Sequence, residues 1–381
     1  MKKINRIAFY LNHSRDIAMF ANTFTKINSN IVTFLFNDLY KGYDLNIKEF
    51  NRIKKLIAKD FPDYNNLIRI SKIYRKYKFN LLISAGNLPI SKLTLKSLIK
   101  FFLKFFFKNF SVYENKFVEK EISNKVIWYP NNLDRNIKHF PIKKWKNVFD
   151  IYLTSSKIEK FLIKKKFPSK KVYNIGFPKL DNKNSKILCK KKIINEFKLN
   201  SKKKIIVYLP TLSEQKKSIV KDYISELKNI SLHFNLIVRP HPKEKDLNKD
   251  KFNLLKRSKL KLDLHDGRDT SQLISAADLI ITDGGSSLLE SIYLKKRTLI
   301  HNWQNKVDLK TIEDRLKNKS RLDVIIIKGM PKKENLNDIN YIKKALNDKL
   351  LINKIKKLRA KYFIVKDKVL AENIIKKNFL I

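Results

Sequence analysis

The chain has 381 residues, with 84 Lys and Arg against 35 Asp and Glu, a net charge of +49, 43% apolar residues, and only 7 Gly and 10 Pro. This composition excludes a disordered or collagen-like chain and leaves room for two domains, each with its own core. The single cysteine, Cys189, excludes an internal disulfide framework and a cysteine-based metal site.

Such a charge points to nucleic acid, a membrane surface or a polyanionic substrate. Lys far outnumbers Arg, so AT-rich codon usage would give the same excess without a selected basic patch. One cysteine fits a reducing compartment. The first apolar stretch ends at Asn12, too short for a signal segment, and no run of 18 apolar residues predicts a membrane span.

Residues 4–11 and 31–37 are predicted strands around a helix-length polar segment, the pattern of a βαβ unit. Helices are expected over 46–60 and 64–77, then a strand from Phe79 to Gly86. Asn12-His13-Ser14 and Ser84 to Asn87 therefore fall at strand C-terminal ends, where ligands bind in open α/β sheets.

From Ser91 to Phe110, Lys92, Lys96, Lys100, Lys104 and Lys108 recur every four residues. On a helix they cover about 160° of arc, opposite Leu95, Leu98, Ile99, Phe101, Phe102, Phe105 and Phe106. The pattern fits a helix lying on an anionic membrane surface, and equally a helix packed on the sheet. Strands are predicted at 126–129, 150–156 and 172–176, with a helix over 157–166. The Lys-rich stretch 182–201 divides an N-terminal domain (1–185) from a second domain (200–335).

The second half repeats the rhythm, with strands at 204–209, 234–239, 262–264, 278–282 and 297–301 and helices at 218–232, 270–276 and 286–294. Residues 338–379 read as helical, giving closing helices (336–381) that pack back across the domains. The alternation implies doubly wound parallel sheets.

Three strand ends of this half carry polar chemistry: Thr211 after the first strand, Arg239-Pro-His241-Pro-Lys243 after the second, and Asp283-Gly-Gly-Ser-Ser287 with Glu290 one turn on. Gly284 and Gly285 let backbone approach a ligand, and Ser286 and Ser287 sit where a helix starts, so a diphosphate fits there and Glu290 reaches a ribose. Arg239 as a fork, Lys243 as a point charge and His241 as a proton carrier could neutralise that diphosphate. A capped turn without ligand has the same local sequence.

Tyr208-Leu-Pro-Thr, Arg239-Pro-His-Pro, Asp278-Leu-Ile-Ile-Thr-Asp-Gly-Gly-Ser-Ser and Lys295-Lys-Arg-Thr-Leu-Ile resemble, in order and spacing, the CDP-glycerol glycerophosphotransferase family of teichoic-acid-like polymerases and primases. Ile175-Gly-Phe-Pro-Lys-Leu-Asp181 is similar to its Gly-x-Pro-Arg-x-Asp segment. The resemblance implies a GT-B-like fold: two Rossmann-like domains, a nucleotide-diphosphate donor (CDP-glycerol or an NDP-sugar) on the second, and a polymer or lipid-linked acceptor at the cleft. It implies an enzyme at the cytoplasmic membrane face with His241 on the donor phosphates and no metal or cofactor. The family's Trp-His-Gly base motif reads Trp128-Tyr129-Pro130 here, so Asp134, His139 and His13 stand as candidates for the missing base, Asp134 being the one carried into the candidate site, and a different chemistry stays open. The Asp-Gly-Gly-Ser-Ser turn is also similar to UDP-N-acetylglucosamine 2-epimerases, which keeps a UDP-sugar alternative open. A nucleic-acid binder is the remaining alternative. It lacks interleaved aromatic and basic residues and any groove-reading motif, so no specific nucleic-acid partner is expected.

Overall fold

The computed structural model describes residues 2–39, 47–86, 88–92, 114–130, 133, 147–181, 185–211, 219–241, 244–247, 249–265, 268–301, 321–333, 335–363 and 368–379. Its first sheet contains β1 (Lys2–Leu11), β2 (Val32–Phe36), β3 (Leu67–Arg69), β4 (Tyr77–Ser84), β7 (Ser123–Trp128), β8 (Ile151–Thr154) and β9 (Lys171–Asn174), with the short antiparallel ribbon of β5 (Pro89–Lys92) and β6 (Glu114–Phe117) beside it. The sheet order is β3-β2-β1-β4-β7-β8-β9, parallel throughout. Along β1 the side chains alternate, with Ile7, Phe9 and Leu11 in one core and Ala8 and Tyr10 in another. Both faces are covered there, which is why Ile7 to Leu11 reads as an unbroken apolar run.

The second sheet contains β10 (Ile205–Leu209), β11 (Asn235–Val238), β12 (Lys261–Leu262), β13 (Leu279–Thr282), β14 (Arg297–His301) and β15 (Lys332–Lys333). Its order, β12-β11-β10-β13-β14-β15, is also parallel. The chain is therefore two doubly wound parallel α/β domains, as the alternation of strands and helices implied.

The helices around the sheets include α1 (Arg15–Phe24), α2 (Ile47–Asp60), α3 (Lys157–Lys166), α4 (Pro178–Asp181), α5 (Ser185–Glu196), α6 (Ile219–His233), α7 (Thr270–Ala276), α8 (Gly285–Tyr293), α9 (Leu322–Gly329), α10 (Ile339–Asn347), α11 (Lys349–Tyr362) and α12 (Ala371–Phe379). Within the 182–201 stretch, α5 seats Ile193 in the core of the second sheet. Helix α11 packs Leu351 and Ile355 into that same core, whereas α12 places Ala371, Ile374 and Ile375 in the core of the first sheet. Two stretches of chain thus run side by side between the domains, and the Val369 N–H donates to the Asn174 carbonyl at 2.9 Å.

Two expected elements differ. The helix expected over 64–77 is instead the edge strand β3 followed by one turn, Ile70–Ile73, because Leu67–Arg69 pairs with Phe34–Phe36 and the ladder takes its backbone groups. Of the helix expected at 91–110, Ser91 and Lys92 belong to β5, and 93–110 lie outside the described residues. No helix among the described residues is long and apolar enough to cross a membrane.

Candidate functional site

The order of the second sheet reverses between β10 and β13, the switch point at which open α/β sheets have a ligand crevice outside the carboxyl ends of their strands. Thr282 Oγ1 closes the floor by donating to the Leu209 carbonyl at 2.8 Å. The chain then turns at Gly284 (φ 133°) and enters α8 at Gly285 (φ 65°), one residue earlier than expected. Side chains rarely adopt these angles, and a Cβ on Gly285 would also sit 3.2 Å from Thr211 Cγ2. The glycines therefore let α8 begin against the Thr211 loop.

Asp283 is a strut. The Thr211 N–H and hydroxyl donate to its two carboxylate oxygens at 2.9 and 2.7 Å, tying the β10 and β13 loops together. The amide of Gly285 is also occupied, donating at 3.3 Å to Asp323, a fully buried carboxylate on α9 that Arg321 balances at 3.0 Å. Ser286 is exposed and Ser287 half-buried in the first turn of α8.

Arg239 follows β11 but spends its fork inside the protein. Its Nη1 donates to Asp263 at 2.6 Å and its Nη2 to the Arg268 carbonyl at 2.7 Å. Asp263 also accepts from Arg268 Nε at 3.0 Å, so both guanidiniums converge on one buried carboxylate. His241 is half-buried, and its carbonyl accepts from the Glu244 N–H at 2.8 Å. The structure thus brings Thr211, Arg239, His241 and 283–290 to one sheet edge. Lys243, next to His241, and Asp134 lie outside the described residues.

Glu290 lies one turn beyond Ser286 on the same face of α8. It is buried, and its Oε1 accepts from Lys179 Nζ at 3.0 Å, while its Oε2 is buried without a hydrogen-bond partner. Lys179 makes a second ion pair at 3.0 Å with Asp269, the residue that caps α7. Burial pushes the Glu290 carboxyl upward and Lys179 pulls it back. Burial disfavours the charge on Lys179, but Glu290 and Asp269 together hold it above the usual lysine range.

Sequence reasoning assigned no role to Lys179, Asp269 or Asp323. For Lys179 a signal existed: it occupies the basic position of Gly176-Phe-Pro-Lys-Leu-Asp181, the segment similar to Gly-x-Pro-Arg-x-Asp. This segment is pinned from both sides. Tyr293 on α8 donates to Asp181 at 2.6 Å and accepts from the Phe177 N–H at 3.1 Å, and Asn22 on α1 donates to the Pro178 carbonyl at 2.6 Å.

Tyr129, where the resemblance leads one to seek a histidine base, is in the core. Its hydroxyl shares a hydrogen bond of 2.7 Å with Thr23, its ring packs on Phe20, and burial raises its pKa. A phenol sealed in this way cannot take a proton from an acceptor.

Comparison with known proteins follows the same lines. Residues 131–377 match the CDP-Glycerol:Poly(glycerophosphate) glycerophosphotransferase family. One structure of the wall teichoic acid polymerase TagF is 13% identical with a TM-score of 0.63, covering 99% of this chain and 88% of that one. Another, soaked with CDPG, is 14% identical with a TM-score of 0.61 and the same coverage. A putative UDP-N-acetylglucosamine 2-epimerase from Listeria monocytogenes is 13% identical with a TM-score of 0.50, covering 99% of this chain and 95% of that one. These likenesses agree with the GT-B-like arrangement of the two sheets. No curated protein matches the chain by sequence. The family match spans well over half of the chain, which belongs to the glycerophosphotransferase family and is a transferase using a nucleotide-activated donor.

Proposed function

We propose that the chain transfers glycerophosphate from CDP-glycerol to a growing teichoic-acid-like or capsular envelope polymer at the cytoplasmic face of the membrane. The observation that carries this reading is the crevice at β10 and β13, where a glycine-started helix, two serines and an incompletely bonded buried carboxylate follow one another on α8. In this reading the diphosphate lies against Ser286 and Ser287 at the positive end of α8, and the ribose reaches Glu290. Thr211 and Asp283 hold the loop, and Gly284 and Gly285 let α8 start close against it.

An acceptor hydroxyl attacks the glycerol-bearing phosphorus, a base of the first domain takes its proton, and the bond to the bridging oxygen breaks to release CMP. Asp134 is our candidate for the base. His241, helped by Lys243, stabilises the phosphate that leaves. Arg239 contributes field rather than a fork, since Asp263 and the Arg268 carbonyl already take its two Nη groups. The reading assigns charge neutralisation to these groups, with no metal ion or cofactor.

The Phe-rich, lysine-spaced stretch 91–110 supports binding to anionic membranes. Flotation with anionic vesicles tests this part, and protein that stays unbound at low salt overturns it.

Calorimetry with CDP-glycerol, CMP, UDP and UDP-N-acetylglucosamine tests the donor. Binding of CDP-glycerol and CMP is expected. Preference for the uridine ligands would move the reading to a UDP-sugar enzyme, and binding of none of the four would overturn it.

A further inference from the structure

We propose that Lys179 is the positioning residue for Glu290, fixing one carboxylate oxygen so that the other, Oε2, is presented to the hydroxyls of the donor's ribose. The inference rests on the nucleotide reading above and goes beyond it, because the ion pair lies between the segment leaving the first domain and the donor crevice of the second.

Three observations lead there. Lys179 is not a surface lysine: its side chain is 18% exposed, and those of Asp269 and Glu290 are 11% and 10% exposed. Both carboxylates lie 3.0 Å from its Nζ, so the ammonium sits between two fixed points, one the cap of α7 and one on the ligand face of α8. The platform that carries Lys179 is itself held, by Tyr293 through Asp181 and the Phe177 amide, by Asn22 through the Pro178 carbonyl, and by Lys368 through Asp181.

Glu290 gains orientation from this arrangement but not full satisfaction. Its Oε1 is used, whereas its buried Oε2 has no hydrogen-bond partner. A buried carboxylate oxygen in that state is expensive unless a ligand supplies donors. Vicinal hydroxyls suit it, since one carboxylate oxygen can accept from both. Lys179 also separates Glu290 from Asp269; without the ammonium the two carboxylates would repel and Glu290 would turn away. A preference for ribose over deoxyribose would then depend on a residue that touches no part of the nucleotide.

The test is calorimetry of the full chain with CMP and UDP beside their 2′,3′-dideoxy forms. Wild type should prefer the ribonucleotide about tenfold or more. Lys179→Met should reduce that preference to about threefold or less while leaving affinity for the dideoxy form unchanged, and Lys179→Arg should restore it. Where Lys179→Met alone fails to fold, its combination with Asp269→Asn removes one of the opposed charges, keeps the cap of α7, and should show the same loss of sugar preference. A folded Lys179→Met that retains the wild-type preference, or that weakens both sugar forms equally, overturns the positioning role and leaves nucleotide binding intact. Wild-type protein that binds nucleotides with no sugar preference does the same. Wild-type protein that binds neither nucleotide overturns the proposed function as well.

Discussion

The two sheets wind identically, reversing between β1 and β4 in the first and between β10 and β13 in the second, yet their crevices are finished with different chemistry. At the end of β1, Asp16 accepts the Asn12 and His13 amides at 2.7 and 3.0 Å, and Glu49 accepts the Ser14 amide at 2.7 Å. Glu119, fully buried beyond the end of β4, accepts the Leu88 amide at 2.7 Å. Carboxylates thus take the amides that an anion would need. In the second crevice the first turn of α8 carries Ser286 and Ser287, and Lys179 lies between the carboxylates of Glu290 and Asp269. Carboxylates take loop amides there too, Asp283 from Thr211 and Asp323 from Gly285, so what sets the second crevice apart is its added hydroxyls and the buried ammonium of Lys179.

The same contrast is sharpest between two buried carboxyls, each with one oxygen lacking a partner. Glu290 has an ammonium 3.0 Å away. The largest influence on Glu119 is burial, which pushes its pKa to about 7 against two backbone hydrogen bonds that lower it. Burial raises both carboxyls, but at Glu290 a buried ammonium opposes it, whereas at Glu119 only backbone amides do.

The largest expected effect lies in the second crevice. His241→Ala should lower turnover by a factor on the order of 10²–10⁴ with little change in melting temperature, if the imidazole assists the departing phosphate. A variant that keeps its activity but melts much lower would make His241 part of the frame, like Asp283.

Next comes the pH dependence of stability through Glu119. Its folded pKa, about 7, stands above the ordinary value of 4.5, so the folded state binds the proton more tightly. Stability from this group is therefore present below about pH 4.5 and is lost as pH rises through about 7, by an amount on the order of a few kcal/mol. Glu119→Gln should remove most of this loss, which denaturant titrations at pH 5 and pH 8 would detect. An unchanged pH profile would mean that the first crevice is less dry than its geometry implies.

Replacing Ser286 and Ser287 together with Ala should weaken nucleotide binding about tenfold, measured by calorimetry. Smaller still, Asp16→Ala should cost about 1–2 kcal/mol of stability by freeing two amides, with no change in nucleotide affinity. Loss of affinity in that variant would erase the distinction between the two crevices.

Much of this was legible in the sequence because its causes are local. Apolar runs broken at regular intervals by polar, helix-length segments give parallel βα units, and α3 and α7 span 157–166 and 270–276 as their periodicity and capping residues imply. The turn at Asp283 is equally local: two glycines between a strand and a helix leave few other conformations. The 64–77 stretch was misread because pairing with β2, a contact about 33 residues away in sequence, overrides the helical pattern of Leu67–Arg69.

Sequence alone determined the two-domain parallel architecture, the glycine turn and the family, since these follow from short-range periodicity and ordered motifs. Only the tertiary structure decided how each polar residue is used. Asp283 faces Thr211, Arg239 faces Asp263, Tyr129 lies against Thr23, and Lys179 reaches Glu290 across 111 positions of chain. Which partner neutralises a buried charge depends on what the fold brings within about 3 Å of it, and no local pattern encodes that distance.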